Sequence, residues 1–157
     1  MEPQLAALAL VDASGAPIYA QAYDPGLREA LPAYLQGLLG AVVRQLTTVS
    51  QLYNDSRPVI YKRLGGLVLF VVGAPGENEL LLCDIVAAVG EAIGTVVDGV
   101  YTPEVCRDNY ARLCVALSQV VDSGYYLSET QPELPVEKGF VQTAVEGLRF
   151  VVSTITN

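Results

Sequence analysis

The sequence predicts an α+β domain within the broad α/β class: a five-stranded antiparallel sheet flanked by helices, in the order ββαβββαα plus a C-terminal helix. Three observations predict it. Short apolar runs of strand length alternate with segments of helical spacing. Turn-forming clusters separate successive runs by only a few residues, as hairpins require. And one stretch, Val59 to Leu82 (VIYKRLGGLVLFVVGAPGENELLL), reads as strand, two-glycine turn, strand, short loop and helix start.

Taken in order, Leu5 to Val11 is a continuous apolar run of the length of a buried strand. Asp12-Ala13-Ser14-Gly15 makes a turn, and Pro17 opens the next strand, where a missing N–H is tolerated. Ile18, Ala20 and Ala22 then alternate with Tyr19, Gln21 and Tyr23, the period of a half-buried strand. After Asp24-Pro25-Gly26, the residues Leu27, Leu31, Leu35, Leu38, Val42 and Leu46 place one apolar stripe on a helix. Pro32 lies inside that pattern and kinks the helix or delays its start. Thr47 to Tyr53 turns β-branched and predicts a strand; Asn54-Asp55-Ser56 is a turn; Val59 to Arg63 is the next strand. Gly65-Gly66 returns the chain into Leu67 to Val72, fully apolar and expected at the sheet centre.

Beyond the loop Ala74-Pro75-Gly76, Glu77 to Val97 has helical spacing, with Leu82, Ile85, Val89, Ile93 and Val96 as its core stripe. Asp84 and Glu91 mark the opposite side, but Leu80, Leu81, Ala87 and Ala88 flank them, so the helix is apolar nearly all the way round. One sheet covers only one side of such a helix, so something else packs against it. Thr102-Pro103-Glu104 is a helix start: capping hydroxyl, proline at the first position, acid in the first turn. Cys106, Tyr110, Leu113, Leu117 and Val120 form its buried stripe, Arg107, Asp108, Arg112 and Gln119 lie outside, and Gly124 is the C-cap. A core of 1–130 is followed by a proline-containing linker through Pro135 and a last helix over Val136 to Ile155, all one domain of 1–157.

The totals narrow the function. Of 157 residues, 52% are hydrophobic and 17% charged, which excludes a disordered chain. Such a surplus fits either apolar surface covered by another protein or a tightly packed monomer rich in alanine and valine. Nine basic against seventeen acidic residues give a net charge of −8. That balance repels phosphate backbones and anionic lipid, so neither nucleic acid nor a bare membrane is an expected partner. Cys83, Cys106 and Cys114 read as small core residues of a reducing compartment. The start Met-Glu-Pro-Gln is unlike a signal peptide, and the run Leu64 to Ala74 is too short to span a bilayer. The expectation is a cytoplasmic protein.

The search for catalytic chemistry finds no candidate. The chain has no histidine, the commonest general base and the usual activator of a serine or cysteine nucleophile. No C-x-x-C pair suggests a metal. Gly65-Gly66 and Gly73-Ala74-Pro75-Gly76 are turns, with no phosphate-loop lysine after them. Glu77 and Glu79 stand two apart, face different directions and complement a helix dipole. No catalytic, cofactor-binding or metal residue is therefore assigned. The expected functional surface is a partner interface on Leu80, Leu81, Ala87 and Ala88.

Val59-Ile60-Tyr61-Lys62-Arg63, the apolar strand that follows and Glu77-Asn78-Glu79-Leu80 resemble the small chains of vesicle coats: the sigma chains of clathrin adaptors and the zeta chain of the COPI coatomer. These share a longin-like fold. Leu10-Val11-Asp12-Ala13-Ser14-Gly15 with Ile18 to Asp24 is similar to zeta's opening hairpin. Asp108-Asn109, Leu117, Val121-Asp122-Ser123-Gly124 and Leu127 are similar to its last longin helix and exit, and Leu134-Pro135-Val136 through Ile155 to its C-terminal helix. The segment between Asp24 and Arg57 departs from the pattern, and Tyr125 to Thr130 carries an extra residue. Gly90 and Pro103 stand where sigma chains help form a pocket for acidic dileucine signals.

The resemblance implies a non-catalytic subunit without cofactors. It would pack into the solenoid of coatomer's gamma subunit, beside the beta and delta subunits of the membrane-facing subcomplex. Arf-family GTPase and cargo contacts would belong mainly to those larger chains. The implied role is Golgi-to-ER retrograde and intra-Golgi transport, peripheral on Golgi membranes and COPI-coated vesicles. The alternatives are a sigma-type subunit of a clathrin adaptor, and a free-standing longin module regulating a small GTPase.

Overall fold

The computed structural model describes residues 3–42, 49–54 and 56–127. The expected linker and last helix, Val136 to Ile155, lie outside them.

Strands β1 (Leu5–Val11) and β2 (Pro17–Ala22) form the opening hairpin. Helix α1 (Leu31–Val42) then carries the chain to the far edge of the sheet, where β3 (Val49–Asn54), β4 (Arg57–Leu64) and β5 (Leu67–Gly73) run back as a meander. The sheet order is β2-β1-β5-β4-β3, antiparallel at every junction. Helices α2 (Glu79–Val97), α3 (Pro103–Asp108) and α4 (Tyr110–Val120) follow, and a two-residue hairpin, β6 (Val121–Asp122) with β7 (Tyr125–Tyr126), ends the described chain.

The central strands are buried on both faces, as their unbroken apolar runs require. Leu5, Leu8 and Leu10 of β1, with Ile60, Leu67, Leu69 and Val71, pack under α2 and α4. Ala6, Ala7, Ala9 and Val11, with Val59, Tyr61, Phe70 and Val72, pack under α1. Alanines on β1 leave room on the α1 side, which the rings of Tyr61 and Phe70 fill, 6.3 Å apart and tilted by 51°.

Proline settles how α1 begins. Pro25 to Leu27 form a short 3₁₀ turn capped by the Asp24 carboxylate, which accepts from the Gly26 N–H at 2.9 Å. The α-helix starts only at Leu31, with Pro32 in its first turn, where no N–H is needed. Of the two outcomes expected of Pro32, the delayed start is the one adopted.

Several expectations are corrected. The strict alternation of β2 breaks, because the register with β1 slips between Leu10 and Val11 and leaves Ile18 as an extra residue. Ile18 and Tyr19 therefore both belong to the α2 side, whereas Ala22 packs toward α1. The second long helix begins at Glu79, because the Asn78 side chain accepts from the Leu80 N–H at 2.9 Å and takes the N-cap. The single helix expected from Thr102 is two. Asn109, at φ −113° and ψ 27°, interrupts it, and its side-chain amide donates to the Val105 carbonyl at 2.9 Å. Nor is Gly124 a C-cap. Ser123 and Gly124 have φ of 54° and 89°, the backbone of a tight hairpin turn between β6 and β7.

Candidate partner-facing surface

Helix α2 decides which surface is left for a partner. Its Leu82, Ile85, Val89 and Ile93 are fully buried, with Val96 nearly so. Its nineteen residues are long and apolar enough as a helix to pass for a membrane span, yet this helix lies between β4 and β5 on one side and α4 on the other. The second buried side read from the sequence is thus covered by α4 of the same chain. Leu113, Ala116, Leu117 and Val120 close that seam.

What remains outward on α2 is a narrow strip. Leu80 is 75% exposed, and Cys83, Asp84, Ala87 and Glu91 are exposed beside it. Leu81 and Ala88 are half-buried against the core. The structure therefore brings Leu80 and Ala87 onto one open face and turns Leu81 and Ala88 toward the seam. The strip is apolar at its N-terminal end and acidic along its length. Gly90 is buried next to Lys62: a Cβ there would stand 3.7 Å from Lys62 Cδ and Nζ. Pro103 opens α3, where Thr102 caps the Val105 N–H at 3.3 Å.

Other exposed apolar side chains were not legible as such. Val100, Tyr110, Val115 and Leu127 join Leu80 as the large hydrophobic residues exposed among the described ones. Tyr110 was assigned to the core stripe, but the break at Asn109 makes it the first residue of α4, and it is 45% exposed. Arg112 and Gln119, expected outside, are half-buried. Of the three cysteines only Cys106 is in the core, where burial raises its thiol pKa; Cys83 is exposed and Cys114 half-buried. Off-stripe positions of Val115 and Cys83 were the available signal for their exposure.

Edge strand β2 and α4 share a tyrosine cluster. Burial raises the Tyr19 pKa, and the Tyr23 hydroxyl hydrogen-bonds to it. Burial, then the neighbouring Tyr19, pushes Tyr23 still further up. Tyr110 hydrogen-bonds Cys114, which raises the Tyr110 pKa ahead of any effect of burial.

Hydroxyl and carboxylate pairs exist, but they hold turns. Ser14 donates to Asp12 at 2.7 Å, and the same Asp12 oxygen accepts the N–H groups of Ser14 and Ala16, at 2.9 and 3.0 Å. Those bonds, led by the Ser14 hydroxyl, lower the Asp12 pKa. Ser123 donates to Asp122 at 3.2 Å in the exposed β6–β7 turn. Arg57 Nη2 stands 2.8 Å from Asp24 Oδ2 and lowers that pKa in turn. Glu77 lies outside the helix and accepts the Asn78 N–H at 3.0 Å. Among the described residues no three histidine, cysteine, aspartate or glutamate side chains gather as metal ligands would. The arrangement offers apolar and acidic surface for contact rather than a nucleophile beside a base.

No family model matches the chain. It is 23% identical to the coatomer subunit zeta of Saccharomyces cerevisiae over 163 aligned residues, covering 86% of this chain and 85% of the yeast protein. It is 24% identical to the coatomer subunit zeta-1 of Bos taurus, covering 88% of this chain and 79% of the bovine one. Its fold superposes on a chain in a homology model of the full-length AP-3 complex with a TM-score of 0.64, at 15% identity, covering 79% of this chain and 84% of that one. The resemblance to coatomer zeta subunits extends over nearly the whole chain, and the longin-like fold expected with it is the fold adopted.

Proposed function

We propose that this chain, a relative of the coatomer zeta subunits, is a non-catalytic small subunit of a COPI vesicle coat. It packs against the gamma subunit, beside the beta and delta subunits of the membrane-facing subcomplex. Its work is Golgi-to-ER retrograde and intra-Golgi transport, from the cytoplasmic side of Golgi membranes and COPI-coated vesicles.

The observation that carries this reading is similarity to zeta subunits over 86% and 88% of the chain, not through one motif. The physical chemistry supports it. An outward strip with an exposed leucine, five large exposed hydrophobic residues among the described ones and a sequence free of basic runs suit burial against another protein. Leu80 and Ala87 are the proposed centre of the gamma-facing strip, with Leu81 and Ala88 at its border.

Copurification tests it. The full chain, tagged and expressed in cells, should retain a gamma-coatomer chain. Retention of a clathrin-adaptor large chain alone would replace the zeta reading by a sigma one. A monodisperse chain that retains neither, but binds a small GTPase, would replace both by a free-standing longin module.

A further inference from the structure

We draw no further inference here: the strongest candidate, the apolar cleft of about 350 Å³ at the start of β1 lined by Pro3, Leu5, Tyr23, Pro25, Ala74 and Pro75, carries none because nothing in the structure shows what covers it.

Discussion

Replacing Leu80 by aspartate separates fold from partner binding, and the structure sets the size of each effect. A fully buried leucine is worth about 1.5–3 kcal/mol. Leu80 is 75% exposed, so only about a quarter of that is gained on folding, on the order of 0.5 kcal/mol. The new carboxylate offsets much of this loss. Asn78 is the N-cap, so position 80 lies in the first turn, where a negative charge gains about 0.3–1 kcal/mol from the helix dipole. The Leu80→Asp chain should therefore unfold in urea within about 0.5 kcal/mol of the parent. Binding is another matter. If gamma covers Leu80, the three quarters left in water are buried there, worth about 1–2 kcal/mol, and an unpaired carboxylate adds its desolvation cost. Affinity should fall at least roughly tenfold, read by titration or by loss of copurified gamma chain. Leu82→Asp is the control: fully buried two residues away, it should prevent folding. A Leu80→Asp chain that binds gamma with unchanged affinity would refute the proposed strip, and one that unfolds would refute the outward placement.

Gly65→Ala should lower stability by about 1–3 kcal/mol, seen as a lower urea midpoint at unchanged slope, because Gly65 has φ +58° and an added Cβ would stand 2.9 Å from Tyr101 Cβ. An unchanged midpoint would mean that the β4–β5 turn shifts freely. Arg57 holds the folded-state pKa of Asp24 below its ordinary 3.8, so this pair stabilises the fold above that value and ceases to as pH falls through the lowered one. Asp24→Asn should flatten the loss of stability in that acid range, and equal acid sensitivity in both chains would count against the pair. For Tyr23 the sign reverses: its pKa is raised above 10, so its contribution is intact below 10 and lost as pH climbs beyond it. Tyr23→Phe should show a shallower fall in urea midpoint above about pH 10 than the parent, and parallel curves would remove Tyr23 from the alkaline transition.

Much of the fold was legible because its signals are local. Strand β5 announced itself as an unbroken apolar run between a two-glycine turn and a proline-glycine loop, and it does lie inside the sheet. The start of α3 was legible down to its capping hydroxyl, since a cap is a contact between residues three apart. The break at Asn109 was not. The apolar spacing continues through it, and the interruption shows only in where the Asn109 amide finds its carbonyl. The role of Gly124 was missed for a similar reason: a positive-φ glycine closes a helix or turns a hairpin equally well. The proposed interface was half legible. Outwardness of Leu80 and Ala87 follows from their angle on the helix, whereas Leu81 and Ala88 needed the position of α4.

By itself, then, the sequence determined the five main strands, the two long helices and the start of α3, and that the central elements have two buried sides. It also carried the resemblance to zeta subunits, since short motifs survive as residues. Only the tertiary structure decided the pairing order β2-β1-β5-β4-β3, which puts consecutive strands β2 and β3 on opposite edges. Only it decided that α4 rather than a partner covers the second side of α2. Periodicity records that a face is buried, because burial selects apolar residues at a fixed angle. What lies against that face is a matter of long-range contacts, and apolar side chains are nearly interchangeable in what they pack against.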